Sequence, residues 1–135
     1  MEPLFLTLAE VLAIHADQVT RYGGSSGVRD RGLLLSALAM PKATFSGQYL
    51  HEDLAAMAAA YLYHIVQNHP FVDGNKRTGT VAAIVFLALN GLEIEADEDA
   101  FGDLVIAVAS GQADKASVAA FLRVHSEPTG EPEQL

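Results

Sequence analysis

Residues 69–78 read His-Pro-Phe-Val-Asp-Gly-Asn-Lys-Arg-Thr, and this decapeptide is the most informative stretch of the chain. It brings a base, an acid, an amide and two cations together around one glycine, and apolar helical patterns precede and follow it. The N-terminus of a helix presents unpaired N–H groups and a partial positive charge, so a loop that enters a helix favours anions. The stretch therefore predicts a phosphate site with a proton acceptor beside it.

Four consecutive residues are the candidate phosphate ligands. Gly74 permits backbone angles that other residues avoid and lets a phosphate approach closely. Asn75 can donate from its side chain, and Lys76 and Arg77 add two cations, of which arginine can bind phosphate oxygens in a bidentate manner. A lysine and an arginine at a helix start oppose the helix dipole, so they favour a bound anion. Together these residues indicate a site for at least two phosphates.

An acid and a base flank this anion site. Asp73 alone would repel a phosphate, and a Mg²⁺ ion between them removes the conflict, because Mg²⁺ is typically held by one or two carboxylates plus phosphate oxygens. The imidazole of His69, with an ordinary pKa of about 6.5, is suited to take a proton from a hydroxyl. Each of these residue types is common at helix ends for structural reasons, and their combination within one loop is what indicates function.

Composition sets the broad class. The chain has 135 residues, half of them hydrophobic, and no cysteine, which predicts one domain over residues 1–126 with a flexible tail over 127–135. The net charge of −9 argues against direct nucleic-acid binding, which is driven by basic residues. No signal peptide is recognisable, and the apolar run 81–89 is far shorter than the roughly 20 residues of a membrane helix. We therefore expect a cytoplasmic protein without a membrane partner.

The rest of the pattern is helical. Helices are predicted over about 7–22, 30–40, 53–68, 78–89, 97–110 and 114–125. The helices before and after the motif are apolar on nearly all faces, which places them in the middle of a bundle. Residues 41–52 have no helical period and mix aromatic, β-branched and glycine residues, so they form an exposed loop or a short β-hairpin flap. The fold class is all-α.

The motif resembles the signature of the Fic/Doc superfamily, and specifically of its death-on-curing (Doc) branch. The segment 27–38, Gly-Val-Arg-Asp-Arg-Gly-Leu-Leu-Leu-Ser-Ala-Leu, is similar to the Doc pattern as well, as are the flap and the Phe-Leu-Ala-Leu-Asn-Gly ending at 86–91. The resemblance covers most of residues 4–125. It implies the small helical Fic fold.

The resemblance also implies an activity. Most Fic proteins carry glycine at the position of Lys76 and transfer AMP from ATP to a protein hydroxyl. Doc proteins carry lysine there, bind the nucleotide in the reversed orientation, and transfer the terminal phosphate to a threonine of elongation factor Tu, which halts translation. His69 would then be the base and Asp73 the Mg²⁺ ligand, with ATP as the phosphate donor held by residues 74–77. The flap would align the target through Thr44, Phe45, Ser46, Gly47, Gln48 and Tyr49.

Regulation is expected to come from a partner. Many Fic proteins carry an inhibitory helix with the pattern Ser/Thr-x-x-x-Glu-Gly/Asn, and the nearest match here, 129–134, lacks the final residue and contains Pro132. The resemblance instead implies a separate antitoxin of the Phd type or a relative. Its disordered segment would fold as a helix in a groove, with 4–22 and 27–38 as candidate walls.

Three other functions compete with this interpretation. They are a Fic-type AMP transferase, a non-catalytic module that binds an antitoxin or another partner, and a metal-dependent phosphohydrolase built on His69 and Asp73. The hydrolase chemistry normally requires a second His-Asp cluster, and the chain contains no His-Asp dipeptide. The remaining histidines lack zinc-ligand spacing and are assigned structural roles: His15, His51, His64 and His125.

Overall fold

The computed structural model describes residues 2–130 as a bundle of six α-helices with two small antiparallel sheets. The helices are α1 (Leu8–Tyr22), α2 (Arg31–Ala39), α3 (Leu54–Asn68), α4 (Asn75–Leu89), α5 (Glu98–Ala109) and α6 (Lys115–His125). A short 3-10 turn, Met40–Lys42, follows α2. The strands are β1 (Thr44–Phe45), β2 (Gln48–Tyr49), β3 (Leu92–Ile94) and β4 (Ser126–Pro128), with β1 paired to β2 and β3 to β4. The all-α fold class is confirmed.

Side-chain caps begin all but one of these helices. In each, an oxygen accepts a hydrogen bond from the backbone N–H three residues further along, which satisfies a donor that the helix itself leaves unpaired. The capping residues are Thr7, Asp30, Asp53, Asp97 and Asp114. Thr7 also forms a reciprocal capping box with Glu10. The predicted starts of α1, α2, α3, α5 and α6 are thus confirmed.

Helix α4 begins earlier than predicted. The sequence suggested Thr78 as its start, whereas the helix begins at Asn75. Gly74 lies in the left-handed region, with φ +78, and turns the chain directly into the helix, so the Thr78 N–H already donates to the Gly74 carbonyl at 2.9 Å. The candidate phosphate ligands after Gly74 are consequently on the first helical turn and not in the preceding loop.

The C-terminal prediction also needs correction. A flexible tail from residue 127 is wrong for its first residues, because β4 pairs with β3 and the Thr129 N–H donates to the Gly91 carbonyl at 2.9 Å. Nothing in Ser-Glu-Pro favours a strand on its own, and the partner strand supplies the pairing. Residues 131–135 lie outside the described residues, and with them most of the inhibitory-helix candidate 129–134.

The core is built around α3, as its pattern predicted. This helix packs against α2, α4, α5 and α6, and nine of its fifteen residues are buried. Gly79 lets α4 approach closely, since a Cβ there would lie 3.0 Å from a Val66 methyl and 3.2 Å from the Leu62 carbonyl. The two helices that flank the motif therefore form a tightly packed frame for it. None of the helices described is both long and apolar enough to cross a bilayer.

Candidate active site

His69 ends α3 and begins the motif. Its backbone is left-handed, with φ 52° and ψ 52°, and its N–H closes the last turn by donating to the Ile65 carbonyl at 3.2 Å. The next two residues, Pro70 and Phe71, are buried, whereas His69 itself is exposed. The chain therefore anchors the loop immediately after His69 and leaves the imidazole in solvent, where a substrate can reach it.

The segment before α2 runs alongside the motif. The Arg29 and Asp30 N–H groups both donate to the Pro70 carbonyl, at 2.7 and 3.0 Å, and the Val72 N–H donates to the Gly27 carbonyl at 3.1 Å. The residues between these bonds, Val28 and Phe71, form an isolated β-bridge. The stretch 27–38 that carried part of the family resemblance is thus the backbone support of the loop.

The Asn75 side chain closes the loop of the motif. It is 4% exposed, and its amide oxygen accepts from the Phe71 N–H at 2.9 Å while its amide nitrogen donates to the Phe71 carbonyl at 3.0 Å. The amide oxygen and one of the two amide hydrogens are therefore used to close the loop. The donation of Asn75 to a phosphate stays a prediction, for which the second amide hydrogen and the backbone N–H in the first turn of α4 are the donors.

Asp73 presents an ionised carboxylate at the surface. One oxygen accepts from the Ser25 N–H at 3.2 Å and the other from the Gly74 N–H at 2.9 Å. These two hydrogen bonds, followed by the positive charges of Arg77 and Lys76, hold the pKa of the Asp73 carboxyl below its usual value. A charged, exposed carboxylate with free lone pairs beside an anion site fits the single protein ligand that Mg²⁺ often uses.

The aromatic support beneath Asp73 comes from α1. His15 is 5% exposed, its ring stacks on Phe71 with centroids 3.9 Å apart and planes 7° apart, and its Nε2 lies 2.8 Å from the Asp73 carbonyl oxygen. Since a carbonyl only accepts, Nε2 is the protonated nitrogen. The structural role assigned to His15 is confirmed. Its part in holding the site was missed, because α1 and the motif are 58 positions apart in sequence.

Two adjacent glycines offer a matched test of how closely the Asp73 carboxylate is held. A Cβ at Gly24 would lie 2.7 Å from Asp73 Oδ2, whereas a Cβ at Gly23 would meet nothing within 4 Å, and both residues have positive φ. We expect Gly23→Ala to lower the free energy of unfolding by about 1–3 kcal/mol, because its backbone lies in a region open mainly to glycine. Gly24→Ala should lose roughly 1 kcal/mol more, the cost of displacing the Asp73 carboxylate from its hydrogen bonds. Urea unfolding of both variants measures the difference, and equal losses would contradict the close contact.

The first turn of α4, called here the phosphate cradle, is where the sequence predicts that an anion binds. No side chain of residues 2–130 caps this helix, in contrast to the other five. Lys76 is exposed, and its ammonium makes no ion pair with the residues described. Arg77 is half-buried; one terminal nitrogen donates to the Gly23 carbonyl at 2.9 Å, and its guanidinium lies 5.6 Å from the Tyr22 ring centre. Arg77 therefore connects the first turn of α4 to the end of α1. Lys76 is the cation that is more available to a ligand.

A shallow apolar recess of about 400 Å³ opens beside this cradle. Its walls come from three helices, with Gln18 and Tyr22 on α1, Lys76 on α4, and Phe101 and Ile106 on α5. Tyr22 and Ile106 are 65% and 58% exposed. Exposed apolar side chains beside a charged site are typical of surfaces that bind a ligand or a partner.

The flap is the β-hairpin that the sequence allowed as one of two possibilities. Thr44 pairs with Tyr49 and Phe45 with Gln48, and the turn residues Ser46 and Gly47 have positive φ, as a tight hairpin requires. The Tyr49 hydroxyl donates to the Glu2 carboxylate at 2.7 Å and so ties the base of the hairpin to the N-terminal segment. Phe45, by contrast, is 74% exposed. The hairpin thus has a fixed base and an aromatic side chain available for contact.

His64 and His125 make structural hydrogen bonds, whereas the buried Nδ1 of His51 has no hydrogen-bond partner within residues 2–130. The His125 Nδ1 donates to the Phe121 carbonyl at 2.8 Å, and the Lys115 ammonium donates to His64 Nε2 at 3.0 Å. Burial, followed by the charges of Lys115 and His51, lowers the pKa of His64 to about 4. Burial lowers the pKa of His51 as well. Within residues 2–130, no three side chains of the metal-ligating types come together.

The depressed pKa of His64 predicts a loss of stability in mild acid. Between about pH 6.5 and about pH 4 the unfolded chain binds a proton at this residue that the folded chain does not, so stability falls as pH falls through this range. We expect His64→Gln, which retains an acceptor for Lys115, to reduce that fall by about 1–2 kcal/mol. Urea unfolding across this pH range measures it, and identical pH profiles for variant and parent would contradict the burial of a neutral His64.

Comparison with known proteins agrees with this geometry. The model of the Fic/DOC family matches residues 5–87. The chain is similar to Toxin Doc of Mycolicibacterium smegmatis (strain ATCC 700084 / mc(2)155), with 45% identity over 103 residues, 75% of this chain and 79% of that protein. It is similar to Protein kinase doc of Escherichia phage P1, with 33% identity over 114 residues, 84% of this chain and 89% of that protein. The matched motif, its helical frame and these relatives together show that the chain belongs to the Fic/DOC family.

Proposed function

We propose that this protein is the toxin of a toxin–antitoxin system, and that it transfers the γ-phosphate of ATP to a serine or threonine hydroxyl of a protein. Elongation factor Tu is the proposed target, and arrest of translation is the proposed consequence. The names of the two relatives, a Doc toxin and a Doc protein kinase, support this assignment. The observation that carries it is the uncapped first turn of α4, with Lys76 on it, directly after a loop that presents His69.

The cradle explains how the phosphates would be held. The first-turn N–H groups of α4 have no side-chain cap, and the helix dipole adds partial positive charge at the same point. Gly74 keeps side-chain bulk away from the ligand, and Lys76 contributes a mobile cation. Most phosphoryl-transfer enzymes depend on this kind of positioning and charge stabilisation.

His69 is the proposed general base. Its imidazole would take the proton from the target hydroxyl as the hydroxyl oxygen forms a bond to the γ-phosphorus. The bond between that phosphorus and the bridging oxygen breaks, and ADP leaves with the electron pair. The exposed position of His69 at the end of α3 suits contact with a protein target, which is too large to enter a closed pocket.

Asp73 is the proposed protein ligand of Mg²⁺, which would also bind oxygens of the nucleotide phosphates. Bound there, the ion would neutralise charge on the transferring phosphate. The protein's own contribution is to keep the Asp73 carboxylate ionised and fixed. The N–H groups of Ser25 and Gly74 donate to the carboxylate, and His15 holds the backbone carbonyl of the same residue.

Lys76 is the proposed determinant of which phosphate is transferred. Its side chain occupies space beside the cradle where glycine would leave room for a phosphate group. We infer that this volume and charge shift the nucleotide so that the γ-phosphorus, and not the α-phosphorus, faces His69. AMP transfer is the alternative outcome if Lys76 does not act in this way.

An antitoxin of the Phd type or a relative is the proposed regulator. A segment that folds as an amphipathic helix would lay its apolar face on exposed apolar residues of the toxin. The apolar recess beside Lys76 supports such a binding site. One of its walls is α1, as the sequence suggested, and the other walls are α4 and α5, where the sequence suggested the segment 27–38. A helix bound there would cover the phosphate cradle and block the nucleotide.

The proposal is tested by incubating the purified protein with elongation factor Tu, Mg²⁺ and ATP and measuring the intact mass of the factor. We expect the factor to gain one phosphoryl group, and peptide mapping to place it on a threonine or serine. Gain of an adenylyl group would show that the reaction is AMP transfer. If the factor stays unmodified, the same assay in a whole lysate separates a different target, which gains phosphate, from a protein that transfers none.

A further inference from the structure

We infer that Arg29 is a positioning residue that fixes the proposed base, His69, by holding the end of α3. This inference rests on the proposed function. The Arg29 Nε donates to the His69 carbonyl at 2.7 Å, and one terminal nitrogen donates to the Asn68 carbonyl at 3.0 Å. One guanidinium therefore binds two consecutive backbone carbonyls, one of which belongs to the residue that carries the imidazole.

The end of α3 needs such a partner for two reasons. The last carbonyls of a helix accept no hydrogen bond from within the helix, so caps, water or side chains must donate to them. In addition, His69 is left-handed, with φ 52°, a conformation that costs a non-glycine residue roughly 1–2 kcal/mol. Hydrogen bonds from a charged donor are among the stronger ones in proteins, so the Arg29 fork offsets this cost.

The backbone of Arg29 is fixed independently of its side chain. Its own N–H donates to the Pro70 carbonyl at 2.7 Å, and the neighbouring Asp30 caps α2. A second link joins α3 to α2, in which the Asn68 side-chain amide donates to the Leu33 carbonyl at 3.0 Å. Loss of the guanidinium would therefore leave α2, the loop and the Asn68 link in place and remove the hydrogen bond that orients the His69 carbonyl.

This arrangement predicts a specific kinetic effect. The phosphate cradle is on α4 and makes no hydrogen bond with the Arg29 side chain within residues 2–130, so the affinity for the nucleotide should not depend on Arg29. The direction of the His69 imidazole should depend on Arg29, because a side chain turns with its own backbone. Small displacements of a catalytic group lower the rate of the chemical step much more than they lower binding.

The test compares Arg29→Met and Arg29→Lys with Arg31→Met, a matched control at an exposed arginine that makes no ion pair within residues 2–130. Two quantities are measured at a temperature where all variants are folded. One is phosphate transfer, with kcat and the KM for ATP determined separately. The other is the ¹H–¹³C spectrum of the histidine rings, in which the His69 signal is assigned through its loss in His69→Asn.

We expect Arg29→Met to lower kcat by about 10- to 100-fold with the KM for ATP changed by less than about 2-fold. Arg29→Lys should recover part of the rate, because an ammonium keeps the charge but cannot bind both carbonyls as a fork. The His69 ring signal should move in both variants, and Arg31→Met should match the parent.

Equal kcat values and equal His69 signals in Arg29→Met and Arg31→Met would overturn the inference. If Arg29→Met does not fold, the same comparison is decided with Arg29→Lys. A parent protein that transfers no phosphate would refute the proposed function by itself, and the His69 ring signals would still decide whether Arg29 positions that residue.

Discussion

His69→Asn is expected to lower the rate of phosphate transfer by about 100- to 10,000-fold. Asparagine tolerates the left-handed backbone that position 69 requires, so the loop should retain its shape. What is lost is the imidazole that accepts the proton of the target hydroxyl. Because the phosphate cradle is on α4, the affinity for ATP should change by less than about 2-fold.

Two measurements separate loss of the base from loss of the fold. Single-turnover transfer to the target gives the chemical rate, and calorimetric titration gives the affinity for ATP in the presence of Mg²⁺. Thermal unfolding of parent and variant serves as the control. A variant that transfers phosphate at the parental rate would exclude His69 as the base.

Lys76→Gly is expected to have the second largest effect, a loss of transfer from the γ-position of at least about 100-fold. Two contributions are lost together: a cation on the first turn of α4, and the side-chain volume that we propose sets the orientation of the nucleotide. Glycine this early in a helix also costs roughly 1 kcal/mol of stability, which unfolding measurements must take into account. The assay uses ATP labelled on the γ-phosphate.

Lys76→Met is the matched control, because methionine keeps most of the lysine stem but carries no charge. If volume sets the orientation, Lys76→Met should still transfer only the γ-phosphate, at a reduced rate, whereas Lys76→Gly should lose this preference. Full γ-transfer by Lys76→Gly would contradict the role of this residue in selecting the phosphate.

Most of the helical frame could be predicted from local sequence. Thr7, Asp30, Asp53, Asp97 and Asp114 precede apolar helical patterns and cap their helices through short-range hydrogen bonds, which are determined by neighbouring residues. The flap was also recognisable as a possible hairpin, since Ser46-Gly47 separates two short segments with β-favouring residues.

What the sequence could not provide is long-range pairing. The strand β4 exists because β3 lies beside it, and no local property of Ser126–Pro128 favours it. The contact of His15 with Asp73 and the fork of Arg29 on α3 join residues far apart in the chain. The start of α4 was placed too late for a different reason: Gly74 was interpreted as part of a loop and not as the residue that begins the helix.

Asn75 illustrates the limit for site residues. An asparagine beside two cations suggests a phosphate donor, and only the folded loop reveals that Phe71 occupies both ends of its amide. The proposed roles of His69, Asp73 and Lys76, by contrast, could be inferred from residue type and spacing within the motif.

The most direct test of the central claim uses the parent protein with elongation factor Tu, Mg²⁺ and two preparations of ATP, one labelled on the α-phosphate and one on the γ-phosphate. If the protein is a kinase and Lys76 has the role proposed here, only ATP labelled on the γ-phosphate will transfer its label to elongation factor Tu. Label from the α-preparation alone would show AMP transfer and contradict the account.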